Sequence, residues 1–381
     1  MDEFHYYADP DRGWAWQVPL LELPHVQFVL MSATLGDVDF FVRDLKERTK
    51  REVALIDNAK RPVPLEMSYT EDELQYLLES LVEAGHWPIY LVHFSQNDAV
   101  KTAQGLASAN LAPRKQREKI ASYLKGVHFG KGFGQTLSRL LRLGVGVHHA
   151  GMLPRYRLLV EQLAQRGLLA VICGTDTLGV GINVPIRTVV FTSLVKFDGH
   201  RERHLSAREF HQIAGRAGRA GFDTMGFVEV QAPAEIKEAK KLAQKDGKRK
   251  SSSSAKGQNP KITWGRGTFE RLQSAPPEPL RSHFQIDHSM VLNVLAGQRN
   301  GGEHLAWLAR NNHDRPQQIN PHLRRLGQVY SSLKQAEVIR HLPSDKAGNR
   351  GRVELTQELP EDFALNQPLS PFALAALDLL D

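Results

Sequence analysis

The chain has 381 residues, of which 49 are Lys or Arg and 42 are Asp or Glu, and its formal net charge at neutral pH is +7. A hydrophobic content of 41% with 24% charged residues is an ordinary globular mixture and excludes a disordered protein. The single cysteine, Cys173, excludes a disulfide framework and a multi-cysteine zinc site, and no apolar run approaches the ~18 residues that span a bilayer. We therefore expect a cytoplasmic protein without membrane contact.

Most of the positive charge lies in one segment. Between Glu235 and Lys261, nine Lys and Arg stand against three Asp and Glu, a net charge of +6. A Lys-rich segment with a run of serines is typical of a solvated linker, and it would add a salt-sensitive, sequence-independent attraction for phosphates. The rest of the chain is nearly neutral.

The chain begins with an acidic box, in which Asp2, Glu3 and His5 follow Met1. In nucleotide-hydrolysing α/β domains such carboxylates follow a buried strand, where Asp holds magnesium and Glu orients the attacking water. Because no strand precedes the box here, a random acidic start is the alternative.

The next informative stretch is the apolar run 26–31, which predicts a buried parallel strand. This strand would place Ser32 and Thr34 at its carboxyl end. Small hydroxyl residues there either link a nucleotide carboxylate to a second surface or cap the next helix, expected at 38–46. A further strand is expected at 53–56 and a linker at 61–66.

A second α/β unit follows the linker. The patterns predict strands at 89–94, 168–173, 188–192 and 227–230, and helices at 71–84, 99–107, 114–124, 137–143 and 207–214. This alternation predicts a doubly wound parallel sheet with sites at the carboxyl ends of its strands. Beyond the basic segment, helices are expected at 290–295, 305–309 and 321–342, and a short strand at 351–359.

Two loops of this unit carry possible binding residues. His148, His149 and Gly151 belong to GVGVHHAGMLP; no further ligand at metal spacing accompanies the paired histidines, so contact with a backbone or a phosphate is favoured over a metal. Thr175 belongs to TDTLGVGIN, a loop of glycines and hydroxyls whose amides suit a phosphate. A plain strand-to-helix turn is the alternative for this second loop.

The stretch EFHQIAGRAGRAG, residues 209–221, is the most informative in the chain. Arg216 and Arg219 are three residues apart, so on one helical turn they would project from the same face. Gly215 and Gly218 precede them and would let a bulky anion approach the backbone. Planar, permanently charged arginines in this setting indicate phosphate binding, with a solvated basic turn as the alternative.

Four boxes, DEFH, SAT, TDTLGVGIN and QIAGRAGR, resemble motifs II, III, V and VI of superfamily 2 helicases in their order and spacing. The extended forms HHAGMLP and FHQIAGRAGRAGFD look like those of the Ski-type DExH RNA helicases, a group that includes exosome-associated helicases and bacterial relatives. The resemblance covers Asp2 to about Gln231, and a looser one reaches Leu295.

The resemblance implies a RecA-like α/β fold followed by a mostly helical C-terminal region with a winged-helix-like start. The implied domains are the end of a first RecA-like domain at 1–64, a second RecA-like domain at 65–234, a basic linker or insertion at 235–262, and the start of the helical region at 263–381.

The resemblance also implies roles for individual residues. Asp2 and Glu3 would handle magnesium and water, with Mg2+ held at Asp2 through the nucleotide, and His5 would couple hydrolysis to movement. The remaining roles are transmission between lobes for Ser32 and Thr34, contact with the RNA backbone for His148, His149, Gly151 and Thr175, approach to the nucleotide for Gly181 and Asn183, and contact with the γ-phosphate for Gln212, Arg216 and Arg219.

The implied activity is that of an ATP-dependent RNA helicase, which uses ATP and Mg2+ and binds single-stranded RNA regardless of sequence, within an RNA-processing or degradation complex. The chain contains no G-x-x-x-x-G-K-[ST] phosphate loop, and both its ends look cut, so we expect a fragment that is inactive alone. Two alternatives remain: a catalytically silent RNA- or partner-binding protein that retains the second motor lobe, and a DNA helicase of the same superfamily.

Overall fold

The computed structural model describes residues 1–109, 111–176, 184–234, 236, 262–296, 301–341 and 353–356. The chain divides into two compact units: the smaller joins Met1–Leu55 to Pro279–Asp381, and the larger is Ile56–Glu278. The domain bounds expected from the sequence group the residues differently and stay a prediction. None of the helices in the described ranges is long and apolar enough to cross a membrane.

The helices and strands are named here in chain order. The α-helices of the described residues are α1 Trp14–Glu22, α2 Asp39–Thr49, α3 Leu74–Glu83, α4 Gln96–Gly105, α5 Arg114–Tyr123, α6 Phe133–Arg142, α7 Pro154–Gln165, α8 Ala207–Ala214, α9 Arg266–Ser274, α10 His288–Ala296, α11 Gly301–Asn311 and α12 Ile319–Gln335. The strands are β1 Leu65–Thr70, β2 Ile89–His93, β3 Val145–His148, β4 Val171–Thr175, β5 Thr188–Phe191, β6 Val195–Phe197, β7 Glu202–His204, β8 Gly226–Gln231, β9 Ile339–His341 and β10 Val353–Leu355.

The larger unit is built around a six-stranded sheet in the order β1-β8-β5-β2-β4-β3. All neighbouring strands are parallel. Every residue of β2, β4 and β5 is buried, because helices cover both faces of a doubly wound sheet. The RecA-like α/β fold expected from the sequence is therefore confirmed. A separate antiparallel hairpin, β6–β7, lies between β5 and α8 in the chain.

The strands expected at 26–31 and 53–56 are wrong. Residues 1–64 contain no strand, and the side chains of Val29 and Met31 are 60% and 50% exposed. Met31 instead makes single backbone hydrogen bonds to Met1 and Phe4, each 2.9 Å long. A buried parallel strand needs a hydrogen-bonded ladder, and the six-stranded sheet is assembled entirely from residues 65–231.

In the smaller unit, the N-terminal segment packs against the chain that follows residue 279. Phe4, Tyr7 and Phe41 are buried in one cluster with Leu280. The helices α10 to α12 and the antiparallel pair β9–β10 form a second cluster, so the expected helical region is present. The helix α12 ends at Gln335 rather than at 342, because Glu337 takes a left-handed conformation with φ 56°.

Candidate active site

The expected site residues of the larger unit lie at opposite ends of its parallel strands. His148 and Thr175 end β3 and β4 and therefore lie at the carboxyl end of the sheet. The two arginines precede β8, and a bridge between Ile186 and Ala217 fixes their segment at the amino end of the sheet. The expectation that all sites lie at carboxyl ends is thus wrong for the arginine pair. The helix of a crossover runs back along the sheet, so the segment that follows α8 returns to the amino end.

The segment 215–221, termed the arginine turn, follows α8 rather than continuing it. Gly218 takes φ +83°, so Arg216 and Arg219 do not share the helical face that their spacing predicted. The guanidinium of Arg61 holds the turn by donating, at 2.7, 2.8 and 2.6 Å, to the carbonyl oxygens of Val63, Gly215 and Ala217. A cation here satisfies carbonyls that the end of α8 leaves unpaired. Burial lowers the pKa of Arg61.

The glycines that precede the two arginines are sites of close packing. A Cβ atom at Gly218 would lie 2.6 Å from Cγ1 of Val63, and one at Gly215 would lie 2.8 Å from the carbonyl oxygen of His211. The space that the sequence analysis assigned to an anion is already filled by the chain. That interpretation of the two glycines is wrong.

The two arginines differ in their contacts. Arg219 forms a bidentate ion pair with Asp223, with Nε and Nη2 at 2.7 and 2.6 Å from its two carboxylate oxygens. Nε of Arg216 is buried and has no hydrogen-bond partner among the described residues, and the same holds for Nε2 of Gln212, four residues earlier. Both atoms are donors, and an anionic phosphate oxygen is an acceptor that suits them.

The amino end of the sheet carries an excess of positive charge. Arg187 also approaches Asp223, at 3.7 Å, so this carboxylate faces two guanidinium groups. Burial raises the pKa of Asp223, but the hydrogen bonds from Arg219 outweigh burial and leave that pKa below its ordinary value. Arg61, which binds the arginine turn, and Arg216 add two further guanidinium groups to this end of the sheet, and clustered cations attract a polyanion.

A network centred on Glu209 connects the β6–β7 hairpin to α8, and the sequence analysis missed it. The carboxylate accepts two hydrogen bonds from Arg203, each 2.8 Å, and pairs with Lys196 at 2.6 Å. With Ser206, Glu209 also forms a capping box at the start of α8. Burial raises the pKa of Glu209, but these donors outweigh it and bring that pKa to about 2. The spacing Ser206-x-x-Glu209 is the signal that could have found the box.

Glu209→Gln is expected to lower the free energy of unfolding of the larger unit by about 1–3 kcal/mol at pH 7, because two cations lose a largely buried carboxylate. Since the folded pKa is depressed to about 2, the contribution is complete above the ordinary pKa of 4.5 and is lost as the pH falls towards 2. Urea unfolding at pH 7 and at pH 3 measures both effects. The matched control is Glu118→Gln on α5, whose ion pair with Arg114 is exposed. Equal losses in the two variants would contradict this role of Glu209.

At the carboxyl end of the sheet, the HHAG loop (148–151) meets the start of α4. His148 is buried and its Nε2 lies 2.8 Å from Oε1 of Glu161, while burial lowers the pKa of its ring. A Cβ atom at Gly151 would clash with Oε1 of Gln96, the first residue of α4. Neither ring nitrogen of His149, also buried, has a hydrogen-bond partner in the described part of the chain. Within that same part, no group of three or more His, Cys, Asp or Glu could hold a metal ion.

In the smaller unit, the acidic box and Ser32 come together. Nδ1 of His5 lies 3.1 Å from Oγ of Ser32 and 3.2 Å from Oε2 of Glu3. The same Ser32 hydroxyl accepts from the backbone N–H of Thr34 at 3.3 Å, and Oδ1 of Asp2 accepts from the N–H of Glu3 at 2.8 Å. The structure therefore connects the box to a hydroxyl residue, although Asp2 and Glu3 are exposed and do not follow a strand.

Some expected features lie outside the described residues. These are Gly181 and Asn183, nearly all of the basic segment 235–262, and most of the strand expected at 351–359. The roles that the sequence analysis gave to Gly181 and Asn183 stay predictions.

The larger unit thus has a RecA-like parallel α/β sheet with an arginine turn ahead of β8. In agreement, residues 110–221 match the family described as helicase conserved C-terminal domain, and residues 232–381 match a domain of unknown function, DUF3516. The chain is similar to the Ski-type DExH group of superfamily 2 helicases, in agreement with its motifs.

Three relatives show this similarity. Superkiller complex protein 2 of Mus musculus is 29% identical over 360 residues, which cover 77% of this chain and 27% of the relative. Antiviral helicase SKI2 of Saccharomyces cerevisiae is 25% identical, covering 77% of this chain and 29% of the relative. Exosome RNA helicase MTR4 of Homo sapiens is 25% identical, covering 77% of this chain and 31% of the relative. The chain thus spans less than a third of the length of these relatives.

Proposed function

We propose that this chain supplies the second motor lobe and the start of the C-terminal region of an ATP-dependent RNA helicase, which hydrolyses ATP to move along single-stranded RNA and unwind it. The observation that carries the proposal is the pair of buried donors on Gln212 and Arg216, which have no hydrogen-bond partner among the described residues, at the end of α8 and in the arginine turn that Arg61 holds. Phosphoryl transfer depends mainly on positioning and on neutralising charge, and a trans-acting arginine is a recurring part of such sites.

Each residue at the amino end has a distinct part in this proposal. Arg216 and Gln212 donate to phosphate oxygens in the arrangement seen, whereas Arg219 must first leave Asp223. Arg61 keeps the arginine turn in place through three carbonyl oxygens. Gly181 and Asn183, which follow β4 in the sequence, approach the nucleotide.

The acidic box belongs to the same proposed reaction. Asp2 would hold Mg2+ through the nucleotide, and Glu3 would orient the attacking water. His5 would couple hydrolysis to movement through its hydrogen bond to Ser32, whose hydroxyl also accepts from the backbone N–H of Thr34. Bound ATP with Mg2+ supplies the scissile phosphate bond and the metal charge. Few protein ligands are needed for such an ion, since Mg2+ is usually held by one or two carboxylates together with phosphates and water.

The carboxyl end of the sheet is the proposed RNA side. Thr175 and the HHAG loop hold the sugar-phosphate backbone there, at the opposite end of the strands from the arginine turn. RNA is proposed as the polymer, the cytoplasm as the compartment, and an RNA-processing or degradation complex as the setting. Relatives named for the exosome and for the Superkiller complex support the choice of RNA and of such a complex.

Binding of a fluorescent 12-nucleotide RNA to the 381-residue chain tests the RNA side by anisotropy. Gly151→Ala should weaken binding about tenfold, because the added Cβ crowds Nδ1 of His149 at 3.3 Å as well as the end of the Gln96 side chain, and His149 belongs to the loop that contacts a charged phosphate. Gly105→Ala is the control, since a Cβ there meets nothing within 4 Å. No measurable RNA binding at low salt, or equal effects of the two substitutions, would count against the proposed RNA side.

A further inference from the structure

A cavity of about 950 Å³ opens at the carboxyl end of the sheet in the larger unit. Its walls come from the ends of three strands, at His93, Thr192 and Gln231, and from α4 and the β6–β7 hairpin. Ligands of doubly wound sheets bind at this end, and a cavity of several hundred cubic ångströms accommodates a nucleotide-sized group. His93 is the register partner of Thr175, so the cavity adjoins the proposed RNA backbone site.

His93 lines this cavity, and its ring nitrogen Nε2 is buried. The residue is only 4% exposed, and Nδ1 lies 3.3 Å from Oγ1 of Thr192. The Thr192 hydroxyl donates its proton to the carbonyl oxygen of Val92 at 2.7 Å, so its oxygen must accept from Nδ1–H of His93. Burial lowers the pKa of His93 to about 4, which keeps the ring neutral at pH 7. Nε2 is then an acceptor, and it is buried without a hydrogen-bond partner in the described chain.

Among the described residues that line the cavity, two carboxylates, Asp98 and Glu202, are matched in number by two ammonium groups, Lys101 and Lys196, and Lys196 is also paired with Glu209. This part of the lining therefore favours neither a polyanion nor a cation. Aromatic rings complete the wall and offer faces on which a flat ring can stack, namely Phe94, Phe197 and Trp264.

We propose that this cavity takes one unpaired nucleobase with an exocyclic amino group, adenine or cytosine, from the single strand bound at the same end of the sheet. The amino N–H donates to Nε2 of His93, and the base stacks on the aromatic wall while its phosphates stay with Thr175 and the HHAG loop. The proposal rests on the proposed function, since it takes RNA as the polymer. It adds a base preference to a contact that is otherwise independent of sequence.

The test compares two 12-nucleotide RNAs that differ by one atom group per base: oligoadenosine, and the same length of purine riboside, which lacks only the 6-amino group. Binding to the 381-residue protein is measured by anisotropy at fixed salt. Wild type should bind oligoadenosine about threefold to tenfold more tightly, the value of one added hydrogen bond. In His93→Phe, which keeps a flat ring without an acceptor, the ratio of the two affinities should fall to near one.

Thr192→Val is the second variant, because it leaves the His93 ring but removes the hydroxyl that fixes its tautomer, and it should also reduce the ratio. Circular dichroism checks that both variants are folded, and if His93→Phe does not fold, Thr192→Val decides. A ratio near one in wild type, or an unchanged ratio in the folded variants, overturns the base site while leaving RNA binding intact. If neither RNA binds, the proposed RNA function fails, and the base site fails with it.

Discussion

Arg216→Lys in the complete helicase is expected to lower RNA-stimulated turnover by about 10³-fold or more, the low end of the range for a trans-acting arginine in phosphoryl transfer. Lysine keeps the charge but not the planar fork, and it has no equivalent of Nε, which is buried without a hydrogen-bond partner among the residues that the structure describes. The effect should fall mainly on kcat, with a much smaller change in KM for ATP, because the contact is made with charge that develops during transfer.

Steady-state phosphate release measures this effect. Arg114→Lys is the matched control, since its side chain is 89% exposed on α5 and its partner Glu118 is also exposed. Arg219→Lys should also slow turnover but should in addition loosen the ion pair with Asp223, so a fall in stability separates it from Arg216→Lys. Turnover of Arg216→Lys within a few-fold of wild type would remove Arg216 from the reaction.

His313→Ala is expected to destabilise the smaller unit by about 2–4 kcal/mol, because it removes a buried side chain and takes a hydrogen-bond partner from the buried Tyr7 hydroxyl. The His313 side chain is 1% exposed, its Nδ1 lies 2.9 Å from the Tyr7 hydroxyl and its Nε2 lies 3.1 Å from Oδ2 of Asp44. Burial raises the pKa of Asp44, but His313 and Arg48 lower it below its ordinary value. The Asp44 contribution is therefore present above the ordinary carboxyl pKa of 3.8 and is lost as the pH falls through the depressed value.

Hydrogen exchange of amides in α1 and α2, followed by mass spectrometry, reports on this unit separately from the larger one. His25→Ala is the control, because His25 is an exposed histidine of the same unit. Exchange that accelerates equally in the two variants would contradict a structural role for His313.

The strands of the central sheet were predictable where they are continuously apolar. Runs such as Ile89–His93 and Thr188–Phe191 are buried on both faces, so composition alone marks them. The strand β1 was missed because it is a half-buried edge strand next to two prolines, although Leu65, Met67 and Tyr69 alternate with polar residues. The strand predicted at 26–31 was wrong for the opposite reason. This run is apolar, but it forms no hydrogen-bonded strand pair among the described residues.

The residues of the candidate site could be proposed from their types, but their arrangement could not. Spacing predicted a shared helical face for Arg216 and Arg219, whereas α8 ends first and Gly218 turns the chain. The stabilising contacts come from residues distant in sequence, such as Arg61, which is 154 residues from Gly215. No local pattern contains that information, because it depends on which strands become neighbours in the sheet.

The central claim, that this chain is the second lobe of an RNA-driven motor, is tested most directly by ATP hydrolysis in the complete helicase with single-stranded RNA, with single-stranded DNA of the same sequence, and with neither. We predict that RNA stimulates phosphate release well above the basal rate, that DNA stimulates it much less, and that Glu3→Gln abolishes the stimulated rate. Phosphate release that does not change when RNA is added, or that responds only to DNA, would contradict the claim.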